Sequence, residues 1–456
     1  MDNSIKNLLL FGKILTRIQF DAYCFCRQPQ LQFYSKEIEW YSFFNNRLLA
    51  VIIWDFTDND YGFAILGRDE NRLFRCIEVS DVFKHSIASA RNALYKKIKL
   101  YELTIKDCYP QGVLNKRIDL FKAILDQKKQ HKFYKILAQE TSFEAARNLI
   151  TEIVNSFIDN DGHFEKEFQS GNFHSRLWEL YLHMYLNHNM NLNVLKNHHA
   201  PDFELSYFGE QIFVEATTVN PSESKDRPDP KSTSDPKKIQ KKLKNFMPIK
   251  FGSALLSKLN KSYWVKSHVQ NHPLIFAIHD YHNDDSMIWS RTALVNYLYG
   301  IDKKVKDGTP MLIKNRFHKW KGKKIESGFF YNATNSKFVS AVLFSNQATL
   351  TKFNRMGKLA GLGSDFVKMI RVCLLFDPDP NAFKPIIEYR DLDSADYEES
   401  WSEGLVMYHN PNAVFPIPIE AFNDISHVFY DEIEGLVGIS QPYEVLNSIT
   451  YCFTKK

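Results

Sequence analysis

Between Ile38 and Val79, apolar and β-branched runs alternate with turn residues. Leu48-Leu49-Ala50-Val51-Ile52-Ile53-Trp54 is followed by Asp58-Asn59-Asp60, then by Tyr61-Gly62-Phe63-Ala64-Ile65-Leu66-Gly67, and residues 72–79 follow Asp69-Glu70-Asn71. This alternation predicts a small antiparallel sheet. From Val82 to about Phe157 the turns give way to apolar positions at helical spacing, Leu120, Ile124 and Leu125 in one segment and Ala145, Leu149 and Ile153 in another. With Asp159-Asn160-Asp161-Gly162 as the break, residues 1–160 are expected to form an N-terminal α+β module: an antiparallel sheet, then helices.

Residues 174–186 are apolar nearly all round, which a helix tolerates when it is largely buried. Short strands are predicted at 191–195, 202–207 and 211–219, with Phe208-Gly209-Glu210 as a turn, then a helix over 250–266 carrying Ala254, Leu255 and Leu259. A buried strand follows at 273–278. The order over residues 161–300 is therefore α-β-β-β-α-β. Within it, the stretch from Asn220 to Met247 holds Pro221, Pro228, Pro230 and Pro236 among Ser, Asp and Lys residues and is expected to be a mobile loop. Residues 301–456 are expected to be a mixed α+β extension packed on that core, with a strand over 339–344 and a helix over 421–436.

Composition supports a folded, globular chain. Hydrophobic residues make up 44% and aromatics 14% of 456 residues, enough for two or three cores at about 150 residues each. No apolar run approaches the roughly 20 residues of a membrane span, residues 1–20 lack a secretory pattern, and six cysteines form no paired CxxC set. Cys24-Phe25-Cys26 fits alternate positions of a strand. A reduced, cytoplasmic protein is the expectation. The net charge of +5 permits a polyanionic partner.

Five lysines fall between Lys237 and Lys244; Lys237, Lys238, Lys241 and Lys242 would serve as a phosphate-contacting arm or as a solvated charge run. His183, His188, His198 and His199 lack zinc-ligand spacing and read as surface or phosphate-contact residues. Gly357, Gly361 and Gly363 match no nucleotide-binding fingerprint and read as a flexible loop. Asp284-Asp285 and Asp377-Pro378-Asp379 read as turn acids.

The candidate chemistry lies in Pro201-Asp202 and Val214-Glu215-Ala216-Thr217. A hairpin would bring Asp202 beside Glu215, and paired carboxylates suit a hard divalent cation such as Mg²⁺ or Mn²⁺. Glu215 follows Ile212-Phe213-Val214 on what should be a mostly buried strand, where a lone acid is uncommon. Together with the element order, these residues resemble the PD-(D/E)XK superfamily of restriction-endonuclease-like nucleases. The resemblance covers residues 165–280. It implies a metal-dependent endonuclease acting on nucleic acid, chiefly DNA, in a setting such as antiphage defence, with a homodimer suited to cutting both strands and the N-terminal module available to a protein partner.

Within that resemblance Asp202 and Glu215 are the two acids of the motif, and Glu179 stands where many members place a further metal-facing glutamate. Its alternative is a helical pair with Arg176 or His183. Thr217 occupies the usual lysine position. Lys258, which helical spacing sets on the same side as Ala254 and Leu255, is the expected substitute, with Lys261 second. The alternative overall is a catalytically inactive nuclease-like domain that binds nucleic acid or serves as a scaffold.

Overall fold

The N-terminal alternation of apolar runs and turns produces a five-stranded antiparallel sheet, two strands larger than the pattern predicts. The computed structural model describes residues 2–112, 118–159, 162–195, 197–222, 229–283, 286, 290–306, 309–379, 381–382, 384–431, 433–441 and 444–454. Asn160, Asp161, Pro228, Asp284 and Asp285 lie outside these. The chain divides into two units, the first comprising residues 1–169 and 353–366, the second residues 170–352 and 367–456. The boundaries expected near 160 and 300 are thus displaced.

In the first unit, helices α1 (Asn3–Leu8), α2 (Arg17–Asp21) and α3 (Ile87–Thr104) accompany strands β1 (Gly12–Leu15), β2 (Ser35–Phe43), β3 (Leu48–Asp55), β4 (Asp60–Arg68) and β5 (Phe74–Val79), paired in chain order. Leu94 and Ile98 of α3 pack with Tyr41, Ala50, Ile52 and Ile65 of the sheet. Helices α4 (Lys132–Gln139), α5 (Glu144–Ser156) and α6 (Phe164–Gln169) follow. Ala145, Leu149 and Ile153 are buried on α5, as their spacing predicts. Leu120, Ile124 and Leu125 lie outside any helix, and Cys24 and Cys26 lie outside any strand.

Gly357 belongs to helix Leu350–Leu359, not to a loop. A Cβ there would come within 2.3 Å of the Ala145 carbonyl oxygen, so glycine is what lets the two backbones meet. Asn354 fastens the same contact by accepting from the Ala146 N–H at 3.1 Å and donating to the Ser142 carbonyl at 2.7 Å.

The second unit opens with the buried helix α7 (Phe173–His188), then β6 (Asn193–Leu195), β7 (Phe203–Tyr207) and β8 (Glu210–Val219). The stretch expected to be a loop is helical in its second half: α8 (Pro236–Lys241), capped by Asp235, runs through a π turn (Lys242–Phe246) into α9 (Met247–Leu259). Strand β9 (Leu274–Asp280) lies parallel to β8. The order α-β-β-β-α-β is therefore present, within a mixed α/β unit.

What the sequence does not anticipate is how far that sheet extends. After hairpins β10 (Ile301–Lys306)/β11 (Thr309–Lys314) and β12 (Phe317–Trp320)/β13 (Lys323–Glu326) come β14 (Ala341–Ser345), β15 (Val367–Leu375), β16 (Ile386–Asp391), β17 (Val406–His409), β18 (Ser426–Asp431), β19 (Gly435–Ile439) and β20 (Val445–Thr454). The central sheet runs β19-β18-β17-β14-β9-β8-β7-β6, and β16-β15-β20 form a second one. The region beyond residue 300 thus supplies half of the sheet that carries β8. The helix expected over 421–436 is a 3-10 turn followed by β18 and β19. Hairpin β12/β13 seats on α9 at Gly252, where a Cβ would meet Ile325 Cδ1 at 2.2 Å.

Candidate functional site

Register brings the two acids together. Phe203 of β7 lies opposite Val214 of β8, so Asp202, one residue earlier, falls beside Glu215. Phe208 and Gly209 join the strands with φ of 48° and 92°, the left-handed pair of a tight hairpin, and glycine adopts it without a steric penalty. Asp202 Oδ2 accepts a hydrogen bond of 2.7 Å from the Ala216 N–H, which fixes its carboxylate at the head of the hairpin.

Glu215 is 3% exposed. It shares a strand face with Phe213, which packs with Phe251 and Leu255 of α9. Lys258 lies three residues beyond Leu255 and seven beyond Phe251, on that same helix face, and its ammonium forms an ion pair with Glu215 Oε1. Tyr263, in the 3-10 turn after α9, donates its hydroxyl to the same oxygen at 2.5 Å. Glu215 Oε2 is buried with no hydrogen-bond partner among the described residues. Thr217 sits on the same strand opposite Ile278, so the lysine charge reaches the site from α9 and not from β8.

Helix α7 covers the other face, with Ser175 Oγ 2.8 Å from Thr218 Oγ1. Its Glu179 accepts from Arg176 at 2.6 Å, one turn earlier. Asp202 feels the charge of Glu215, and Glu179 that of Asp202, so negative charge shapes their titration. Burial, then the Glu215 charge, push Asp202 up to about 6, against the pull of Lys258, the Ala216 N–H and Arg176. Solvent reaches this carboxylate and moderates the rise. Burial, then Asp202, push Glu179 up to about 8, against Arg176 and Lys258.

A carboxyl that binds its proton more tightly in the folded chain than in the unfolded one favours folding at low pH. It gives up that contribution as pH rises from the usual 4.5 towards 8. Glu179→Gln should accordingly flatten the fall in thermal stability between about pH 5 and about pH 8 in metal-free buffer. Melting curves across that range check it, and an unchanged slope contradicts it.

The acids suit a cation only in part. Among the described residues, no group of three or more His, Cys, Asp or Glu side chains could hold a metal ion. Glu179 takes the helical pair with Arg176 in place of a third ligand position. Asp202 and Glu215 remain, and two carboxylates fit Mg²⁺, which usually keeps waters and substrate phosphates for its other positions. The unpartnered Glu215 Oε2 is the oxygen such an ion would use.

The other candidates fare unevenly. Lys237, Lys238 and Lys241 are exposed on α8, whereas Lys242 is 4% exposed and donates to the Lys231 carbonyl at 2.7 Å. It is a structural residue, turned inward by the helix that continues past Pro236. His183 is buried with Nδ1 3.2 Å from Asn187 Nδ2, which removes it from the surface set. His188 bonds the Met184 carbonyl, and His198 bonds Glu204 and stacks on His268 at 3.8 Å. Asp377 and Asp379 cap turns, as expected. Tyr263 is the residue sequence reasoning misses; its one signal is a phenol beside the apolar Trp264-Val265 just past the lysine-bearing helix. No family model and no curated protein matches the sequence, and no solved structure matches the fold.

Proposed function

We propose that the second unit is a divergent restriction-endonuclease-like nuclease core that hydrolyses phosphodiester bonds, chiefly in DNA. The observation that carries this reading is the arrival of Lys258 from α9 at Glu215, beside Asp202 on the paired strand end. It sets one ammonium on Glu215, beside Asp202, in place of the lysine that Thr217 does not supply. When bound at Asp202 and Glu215, Mg²⁺ or Mn²⁺ supplies charge neutralisation on the scissile phosphate and a more acidic water.

The protein's own part is positional. The Ala216 N–H holds Asp202, and Tyr263 and Lys258 fix one oxygen of Glu215, while the other has no hydrogen-bond partner among the described residues. Lys258 is a proton donor close to where negative charge develops during phosphoryl transfer. Exposed Lys237, Lys238 and Lys241 suit contacts with the phosphate backbone, which predicts affinity that falls with salt.

A second reading, an inactive nucleic-acid-binding scaffold, is favoured by the same ion pair, since a buried Glu215 needs a neutralising partner whether or not it works. Calorimetric titration with MnCl₂ separates the two. The nuclease reading expects saturable heat in the wild type that Asp202→Ala abolishes; equal absence of heat in both proteins favours the scaffold.

A further inference from the structure

The three-stranded sheet β16-β15-β20 turns its two faces to different surroundings. Along β15, burial alternates without a break from Val367 to Leu375, as successive side chains point to opposite faces. Met369, Arg371, Cys373 and Leu375 are buried on the inner face, where Cys373 and Leu375 pack with Val445 and Ile386. Ile370, Val372 and Leu374 point the other way and are partly exposed.

Register shows what stands beside them. Val372 lies opposite Tyr389 of β16 and Ile449 of β20, Leu374 opposite Ile387, and Ile370 opposite Tyr451. Residues directly opposite one another share a face, so Ile387, Tyr389, Ile449 and Tyr451 line the outer surface, with Phe453 in the next row beside Lys368. These five side chains are between 51% and 75% exposed.

An antiparallel sheet that packs one face on a core ordinarily presents polar side chains on the other. Here that outer face is aliphatic and aromatic across all three strands. The five exposed side chains leave about 600 Å² of mostly apolar surface, the upper end of what a monomer carries. With the β15 row added, the face approaches the roughly 800 Å² that each partner contributes to a stable complex.

Charge narrows what can cover it. The outer face bears one cation and one anion along its paired strands, Lys368 and Asp391, and they bond each other at 2.8 Å. A phosphate backbone or an anionic membrane therefore finds no uncommitted cation among the described residues of this face. What fits is another flat, neutral, apolar sheet packed face to face, with amphipathic side chains such as Tyr389 and Tyr451, a type enriched at interfaces. This face is itself such a surface, and a two-fold pairing requires only that one patch complement itself.

We propose that the outer face of sheet β16-β15-β20 is a homodimer interface, closed by the same face of a second copy of the chain. The inference is independent of the nuclease reading, since it stands on the sheet alone.

The test is the mass of the full chain in solution, by sedimentation velocity over a dilution series. At about 50 μM, above the weakest affinities of interfaces this size, the wild type should sediment at twice the 53.4 kDa of one chain. Tyr389→Lys and Ile449→Lys, one on each strand flanking Val372, bring like charges into the interface and should each raise the dimer Kd about 100-fold or more. Tyr389→Phe keeps the ring and should leave the dimer in place. Both positions are exposed on the single chain, so circular dichroism should report an unchanged fold in every variant.

A monomeric wild type at that concentration overturns the second copy as the occupant and leaves the face to a different protein. A wild-type dimer whose Kd neither lysine variant moves overturns the interface, because the copies then meet through another surface.

Discussion

Lys258→Met should destabilise the second unit by about 3 kcal/mol, the lower end of the range for breaking a buried ion pair by removing one partner. The low end is apt because the lysine side chain is 19% exposed while that of Glu215 is 3% exposed. Methionine preserves the length and the packing of the stem against the Phe251 and Leu255 face, so the loss reports the charge. Tyr263 would still donate to Glu215, which limits the damage but leaves a buried carboxylate without a cation.

The double variant Lys258→Met/Glu215→Gln should recover most of the loss, since a neutral amide no longer needs a counter-charge. Urea denaturation of the wild type, both single variants and the double variant gives the coupling directly. A loss below about 1 kcal/mol for Lys258→Met would mean the ammonium is effectively solvated and the pair is of the surface kind.

Asp202→Ala should do the opposite, sparing the fold and removing the chemistry. Asp202 is exposed and sits outside β7, and its hydrogen bond from the Ala216 N–H is worth about 1 kcal/mol. On the nuclease reading, by contrast, cleavage should fall roughly 10³-fold or more, because loss of a carboxylate proposed to hold the cation would forfeit about 4 kcal/mol of transition-state stabilisation. The substitution also removes the Asp202 charge that raises Glu179, so the Glu179 carboxyl should titrate lower in the variant, which NMR of the labelled side chain can follow.

The hairpin and its acids were legible because their signals are local. Continuous buried runs mark β7 and β8, and Gly209 marks the turn. Helical spacing alone places Lys258 on the Phe251 and Leu255 face. The broader sheet was not legible, because β14, β17 and β18 are short, lie far along the chain, and join β9 through pairings that no local pattern encodes.

Residues 421–436 misled because their apolar positions suit a helical face, yet the parallel pairing of Ser426 with Val406 draws them into the sheet. Lys242 looked like its neighbours in a charge run until the helix beyond Pro236 turned it towards the Lys231 carbonyl. Glu179 had two readings, a metal-facing acid or a helical pair with Arg176 or His183, and its ion pair is with Arg176.

The central claim is that Asp202 and Glu215 form a metal-dependent phosphodiesterase site. Incubating the wild type, Asp202→Ala and Glu215→Ala with supercoiled plasmid DNA, with Mg²⁺ or Mn²⁺ and with a chelator control, tests it most directly. The account predicts nicking or linearisation by the wild type that the chelator and either substitution abolish, while equal cleavage by all three proteins, or none by the wild type with either metal, would contradict it.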